Sequence, residues 1–120
     1  MTDNIFGYNI DISKNAYLNW RFDGNDQAYN LRVLAEGFAN AAVIMMDTIL
    51  EDNRDKKADS IIMPILYSID QSIEVYMKSI IRLIEELNGE QICKYTSHDI
   101  AELKNIMVSK IKKRKIRMTI

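Results

Sequence analysis

One cysteine, one histidine, one proline and four glycines stand in a chain of 120 residues, and each scarcity excludes something. Cys93, alone, forms no internal disulfide, and a secreted domain of this size usually carries several, so the cytoplasm is the expected compartment. With a single His and a single Cys there is no metal cluster of the usual spacing, and no Cys-His pair lies on a recognisable catalytic motif. No glycine-rich loop is present to cradle a phosphate, so no cofactor is expected. Met1 to Ile10 carries acidic and amide residues where a signal peptide needs a basic stretch and then an apolar one, and no run of about 18 apolar residues occurs. Neither export nor a membrane span is expected.

What is present fits an ordered helical protein. Apolar residues make up 48% of the chain and charged residues 28%, and the length suits one domain with one hydrophobic core. The net charge of −1 conceals an asymmetry: Lys110, Lys112, Lys113, Arg114, Lys115 and Arg117 fall within eight residues, leaving −7 on the rest. Such a segment suits phosphates, an anionic membrane, or an acidic patch on a partner or a second copy, or it is a solvated helix end. Against a membrane, the apolar residues among the lysines (Ile111, Ile116, Met118, Ile120) make a poor insertion face.

Residues 1–25 have no sustained helical period, and Gly7, Asp23-Gly24 and Asn25-Asp26 read as turns, so this stretch is expected to be an irregular arm. Its Phe6, Tyr8, Tyr17, Trp20 and Phe22 pack the arm onto the body or another subunit, or stack on bases. The bundle domain is expected over 26–120. Its first helix, from Gln27 to about Leu50, has Asp26 as N-cap and a stripe at Leu31, Leu34, Phe38, Ala42 (or Ala41), Met45 and Ile49. A polar loop, Asn53 to Lys57, ends it.

The second helix is the clearest. Ile62, Leu66, Ile69, Ile73, Tyr76 (or Met77), Ile80, Ile84 and Leu87 form a stripe over some seven turns. A start near Asp59 or Ser60 puts Pro64 in the first turn, where its missing N–H costs nothing, and Asn88-Gly89 supplies the stop. A third helix opens at Thr96-Ser97-His98-Asp99, with Thr96 or Ser97 as cap and Asp99 favouring the N-terminus by its charge. Its stripe of Ile100, Leu103, Met107 (or Ile106) and Ile111 then dissolves into the basic run. The fold expected is all-α, an up-and-down bundle of three long helices with or without a short fourth.

At these residues the chain resembles a known family. Pro64-Ile65-Leu66-Tyr67, Ser72-Ile73-Glu74-Val75-Tyr76-Met77-Lys78, Gly89, and Ser97-His98-Asp99-Ile100-Ala101-Glu102-Leu103 are similar to the HEPN superfamily of prokaryotic four-helix modules. In that family a long helix carries Glu-x-x-x-Lys, and a Gly-containing turn leads to a His-Asp-Leu helix start. The resemblance spans roughly Glu36 to Met107, about 60% of the chain. It implies antiparallel second and third helices, a homodimer, and membership of a toxin–antitoxin, abortive-infection or other phage-defence system. The partner it implies is RNA or a small nucleotidyltransferase.

Active members of the family carry an Arg, four to six intervening residues, then a His. Here the positions before His98 hold Gln91, Ile92 and Cys93, the nearest basic residue is Lys94, and no His follows. Metal-independent RNA cleavage needs a group to move the 2′-hydroxyl proton and a cation for the charged phosphorane, and only Lys94 with His98 stands near that pattern. The reading of the residues is therefore a non-catalytic module, with 110–117 as its binding segment. The alternative is a structural interaction or dimerisation domain with no nucleic-acid role. Glu74 and Lys78 read as an ion pair orienting the third helix, and His98 with Asp99 as a structural helix start.

Overall fold

The structure, a computed structural model, describes residues 7–16, 24–92 and 95–118, the last four without their side chains. Three long α-helices, α1 (Gln27–Glu51), α2 (Lys57–Asn88) and α3 (Ile100–Met118), follow one 3₁₀ turn at Ile12–Lys14. All described elements are helical, and the three helices make one bundle, as expected. Phe6, Tyr17, Trp20 and Phe22 lie outside the described residues.

The ends of the helices follow local hydrogen-bonding chemistry. Asp26 caps α1 by accepting from the Tyr29 N–H at 2.9 Å. At the far end of α2, Gly89 takes a left-handed φ of 65°, and its N–H and that of Glu90 return to the carbonyls of Glu85 and Glu86. Two expectations at helix starts are corrected. α2 begins at Lys57, because Asn53 Oδ1 accepts from Ala58 N–H at 2.9 Å in the hairpin loop, and Pro64 therefore sits inside the helix rather than in its first turn. The cap of α3 is Asp99, whose Oδ1 accepts from Ala101 N–H at 2.8 Å, while Ser97 accepts from Asp99 N–H and donates to Glu102. The basic run stays helical as far as Met118.

α2 is the hub, since α1 and α3 both pack on it and not on each other. Its seam with α1 is built from small residues at a seven-residue spacing. Ala28, Ala35 and Ala42 are buried on α1, facing Ile65, Ser72 and Ser79 of α2. Small side chains let the backbones approach. The Ser72 hydroxyl then donates to the Ala35 carbonyl at 3.0 Å, and the Ser79 hydroxyl to the Ala28 carbonyl at 2.7 Å. Both buried hydroxyls are thereby satisfied across the seam.

The apolar stripes chosen from periodicity do not coincide with this core. On α1, Ala42 is buried, Leu31, Phe38, Met45 and Ile49 are half-buried, and Leu34 is exposed. On α2 the correction is larger: Ile62, Leu66, Ile69, Ile73, Ile80 and Leu87 are exposed by 37% to 57%, and of that stripe only Ile84 is buried. Helical periodicity identifies a face but not the neighbour against which it packs. Here the small-residue face won the contact with α1.

α3 runs in the same direction as α2. His98 lies against Glu74, Lys110 against Glu85, and Arg114 donates to the Leu87 carbonyl at 3.3 Å and to Asn88 Oδ1 at 3.0 Å. An up-and-down order sets these helices antiparallel. Eleven residues of connection, 89–99, suffice for the difference, since an extended chain of that length reaches about 36 Å. That is ample to return along α2 before α3 begins.

α1 carries one more property that counting uninterrupted apolar residues does not register. An 18-residue window within it has a mean hydropathy of 1.5, long and apolar enough to cross a membrane by length and composition, and 11% of the window is buried.

Candidate functional site

The α2–α3 contact is ionic at both ends. Glu74, Lys78, Ile81 and Glu85 recur at steps of four, three and four, so they share one face of α2, and that face meets α3. Glu74 is buried. Its Oε1 lies 2.6 Å from Lys78 Nζ and 2.9 Å from His98 Nδ1. A carboxylate only accepts, so Nδ1 carries the hydrogen in this contact and the remaining ring nitrogen is left as the acceptor in the neutral ring. Burial pushes the Glu74 carboxyl upward, but the hydrogen bonds and charges of Lys78 and His98 outweigh it and hold the group below the usual carboxylate range. The His98 side chain is otherwise 80% exposed.

Between the two ionic ends, Ile81 and Leu103 are both fully buried and form the apolar centre of the contact. The second cluster surrounds Glu85, which is also fully buried. Its Oε1 accepts from the Tyr95 hydroxyl and lies 3.1 Å from Lys110 Nζ, which also reaches Glu90 Oε2 at 2.9 Å. The other oxygen, Oε2, has no hydrogen-bond partner among the described residues. Burial, then the hydrogen bond and charge of Glu85, push the Tyr95 phenol up to about 12. The Glu90 hydrogen bond, with Glu85 behind it, raises Lys110 despite burial.

The basic segment is thus divided by the fold. Lys110 and Arg114, four residues apart, point inward: the first neutralises the buried Glu85 and the half-buried Glu90, the second ties α3 to the C-terminus of α2. Lys112 and Lys113 are exposed on the outward side. With Lys104, Asn105, Val108 and Ser109 they line an open depression of about 590 Å³ on α3. The side chains of Lys115 and Arg117 lie outside the described residues, as does Lys94.

Two parts of this arrangement escape the linear reading. Lys104 lies six residues before the basic run, and its signal is the eight-residue interval to Lys112, two turns on one helical face. Glu85 lies eleven residues, three turns, after Glu74, so a repeat of the same buried-carboxylate position was there to be found. Among the described residues no group of three or more His, Cys, Asp or Glu is placed to hold a metal ion. Comparison with protein-family models, with curated proteins and with solved structures finds no match.

Proposed function

We propose that the chain is a non-catalytic RNA-binding helical module, HEPN-like, of the kind found in bacterial toxin–antitoxin and phage-defence systems. The observation that carries the binding reading is the outward face of α3. Lys104, Lys112 and Lys113 project there with Asn105 and Ser109, and Lys104 and Lys112 stand about 12 Å apart along the helix axis. Ammonium groups around one depression with amide and hydroxyl donors suit a phosphate backbone, whose neutralisation releases counterions. The family reading rests on the motif residues Glu74, Lys78 and His98 meeting in one cluster; the parallel course of α3 is not the antiparallel order that family implies.

His98 is used structurally in this reading. Its ring is anchored on Glu74, and the candidate RNA face is the side of α3 away from α2. A catalytic use would require a cation free to hold the phosphorane, whereas Lys78, the cation in this cluster, is paired with Glu74.

The experiment is fluorescence-anisotropy titration of a labelled single-stranded RNA at low and physiological salt. Neutralising three phosphates on a single strand gives a slope of log K against log salt of about −2. Lys104, Lys112 and Lys113 changed together to Ala are expected to abolish the binding and leave the helical circular dichroism unchanged. Lys110 and Arg114 are unsuitable for this test, because removing them disturbs the fold. No binding of the native chain at low salt overturns the proposal and leaves the interaction-domain reading.

A further inference from the structure

We infer that the cleft between α1 and the open face of α2 docks a basic amphipathic helix of a partner protein. This does not depend on the RNA reading. Ala39, Val43 and Met46 of α1 form one wall of the cleft and Ile69 and Ile73 of α2 the other, around a volume of about 210 Å³. Ile69 and Ile73 belong to the exposed stripe from Ile62 to Leu87. Taking Leu83, which is 48% exposed, in place of the buried Ile84, that stripe advances by alternating steps of four and three without a break. Such a 3.5-residue repeat, beside an apolar cleft, is what a helix offers to a second helix laid along it.

The charge of the occupant follows from the rim. Asp47 lies one turn after Val43 on α1, and Asp70 one turn before Ile73 on α2. Glu36 precedes Asp47 by eleven residues, and Asp59 precedes Asp70 by eleven. Eleven residues are three turns, so each crest of the cleft carries two carboxylates about 16 Å apart. The two crests are also in register. The Ser72 hydroxyl meets the Ala35 carbonyl, which sets Glu36 level with Gln71, beside Asp70, and Asp47 level with Ser60, beside Asp59. The cleft therefore has an exposed carboxylate at each of four corners. Glu36 is paired with Arg32 at 3.6 Å, while Asp47, Asp59 and Asp70 make no ion pair among the described residues.

That rim selects among occupants. A second copy would bring the same carboxylates to the same rim and set like charge against like, and a phosphate backbone would be repelled. A lipid surface would desolvate the carboxylates without pairing them. A helix with an apolar stripe and lysines or arginines along both edges fills the cleft and pairs with all four corners.

The test is a fluorescence-anisotropy titration of the full chain, without nucleic acid, against a labelled peptide of about 18 residues, five turns. The peptide has Leu at the a and d positions of a heptad and Lys elsewhere, and a control peptide has Glu in place of every Lys. Saturable binding of the Leu–Lys peptide and none of the Leu–Glu peptide are expected. Asp47→Asn, Asp59→Asn and Asp70→Asn together should weaken binding by about 10-fold, and Ile69→Asn with Ile73→Asn by at least about 100-fold. All five positions are exposed, so the circular dichroism of both variants should be unchanged. No binding of the Leu–Lys peptide, equal binding of the Leu–Glu peptide, or indifference to the rim and cleft substitutions overturns the inference. So does sedimentation of the chain alone as a dimer that Ile69→Asn with Ile73→Asn dissociates, which gives the cleft to a second copy. Flotation with phosphatidylcholine vesicles, lost in the same variant, gives it to lipid and overturns the inference too. If the Ile69→Asn, Ile73→Asn variant misfolds, the triple substitution at the rim decides.

Discussion

Replacing Lys110 with Ala removes the ammonium that faces the fully buried Glu85, and a carboxylate left buried without its cation costs about 3–5 kcal/mol. The same change at exposed Lys112, two residues on, should stay within about 0.5 kcal/mol. Urea denaturation of the two variants checks the contrast, and equal effects would contradict the inward placement of Lys110. The pH dependence follows from the same cluster. Tyr95, pushed up to about 12, and Lys110, also raised, are both held protonated by the folded state. Their stabilisation is complete below pH 10, the ordinary tyrosine value, and is lost as the pH rises to about 12. Tyr95→Phe should flatten part of that loss in denaturation measured across this window. Glu74 acts at the other end: its lowered value gives stability that is present above pH 4.5 and is lost as the pH falls through the folded value.

At the scale of elements, the α1–α2 seam depends on small side chains, so bulk should be harmful where it is buried and harmless where it is not. Ala35 is fully buried opposite Ser72, and Ala35→Leu would force the helices apart and break the hydroxyl-to-carbonyl bond, at about 1–3 kcal/mol. Gly37, two residues on, lies exposed in the middle of α1, and a Cβ built there meets nothing within 4 Å. Gly37→Ala should stabilise by about 0.5–1 kcal/mol through helix propensity. Thermal unfolding of the pair gives opposite shifts in Tm if the seam is as described. The seven-residue recurrence of Ala28, Ala35 and Ala42 was open to inspection in the sequence. Alanine carries little weight in a hydrophobic pattern, although close packing of helix backbones favours small residues.

For the whole molecule, the buried apolar set is thin. Of its eight members, three are alanines, while nineteen large apolar residues are exposed among those described. A chain whose larger apolar side chains lie mostly outside its own core has surface left for association, and the unbroken seam on α2 has the form of a helix-to-helix contact. The RNA titration and the peptide titration address separate faces, the outward side of α3 and the open side of α2. Either result can stand without the other.

Local chemistry determined the helices. Asp26 as a cap, Asn88-Gly89 as a stop and the helical period between them are properties of neighbouring residues, and they are legible in the sequence. The Glu74–Lys78 pair was legible for the same reason, being one turn apart on one helix. What only the tertiary structure decided was which face meets which neighbour. The stripe on α2 faces outward because the alanine and serine seam holds α1 elsewhere. The basic run splits into inward Lys110 and Arg114 and outward Lys112 and Lys113 because α3 lies parallel to α2 rather than antiparallel. Periodicity specifies that a helix has faces; the direction and packing of its neighbours specify their use.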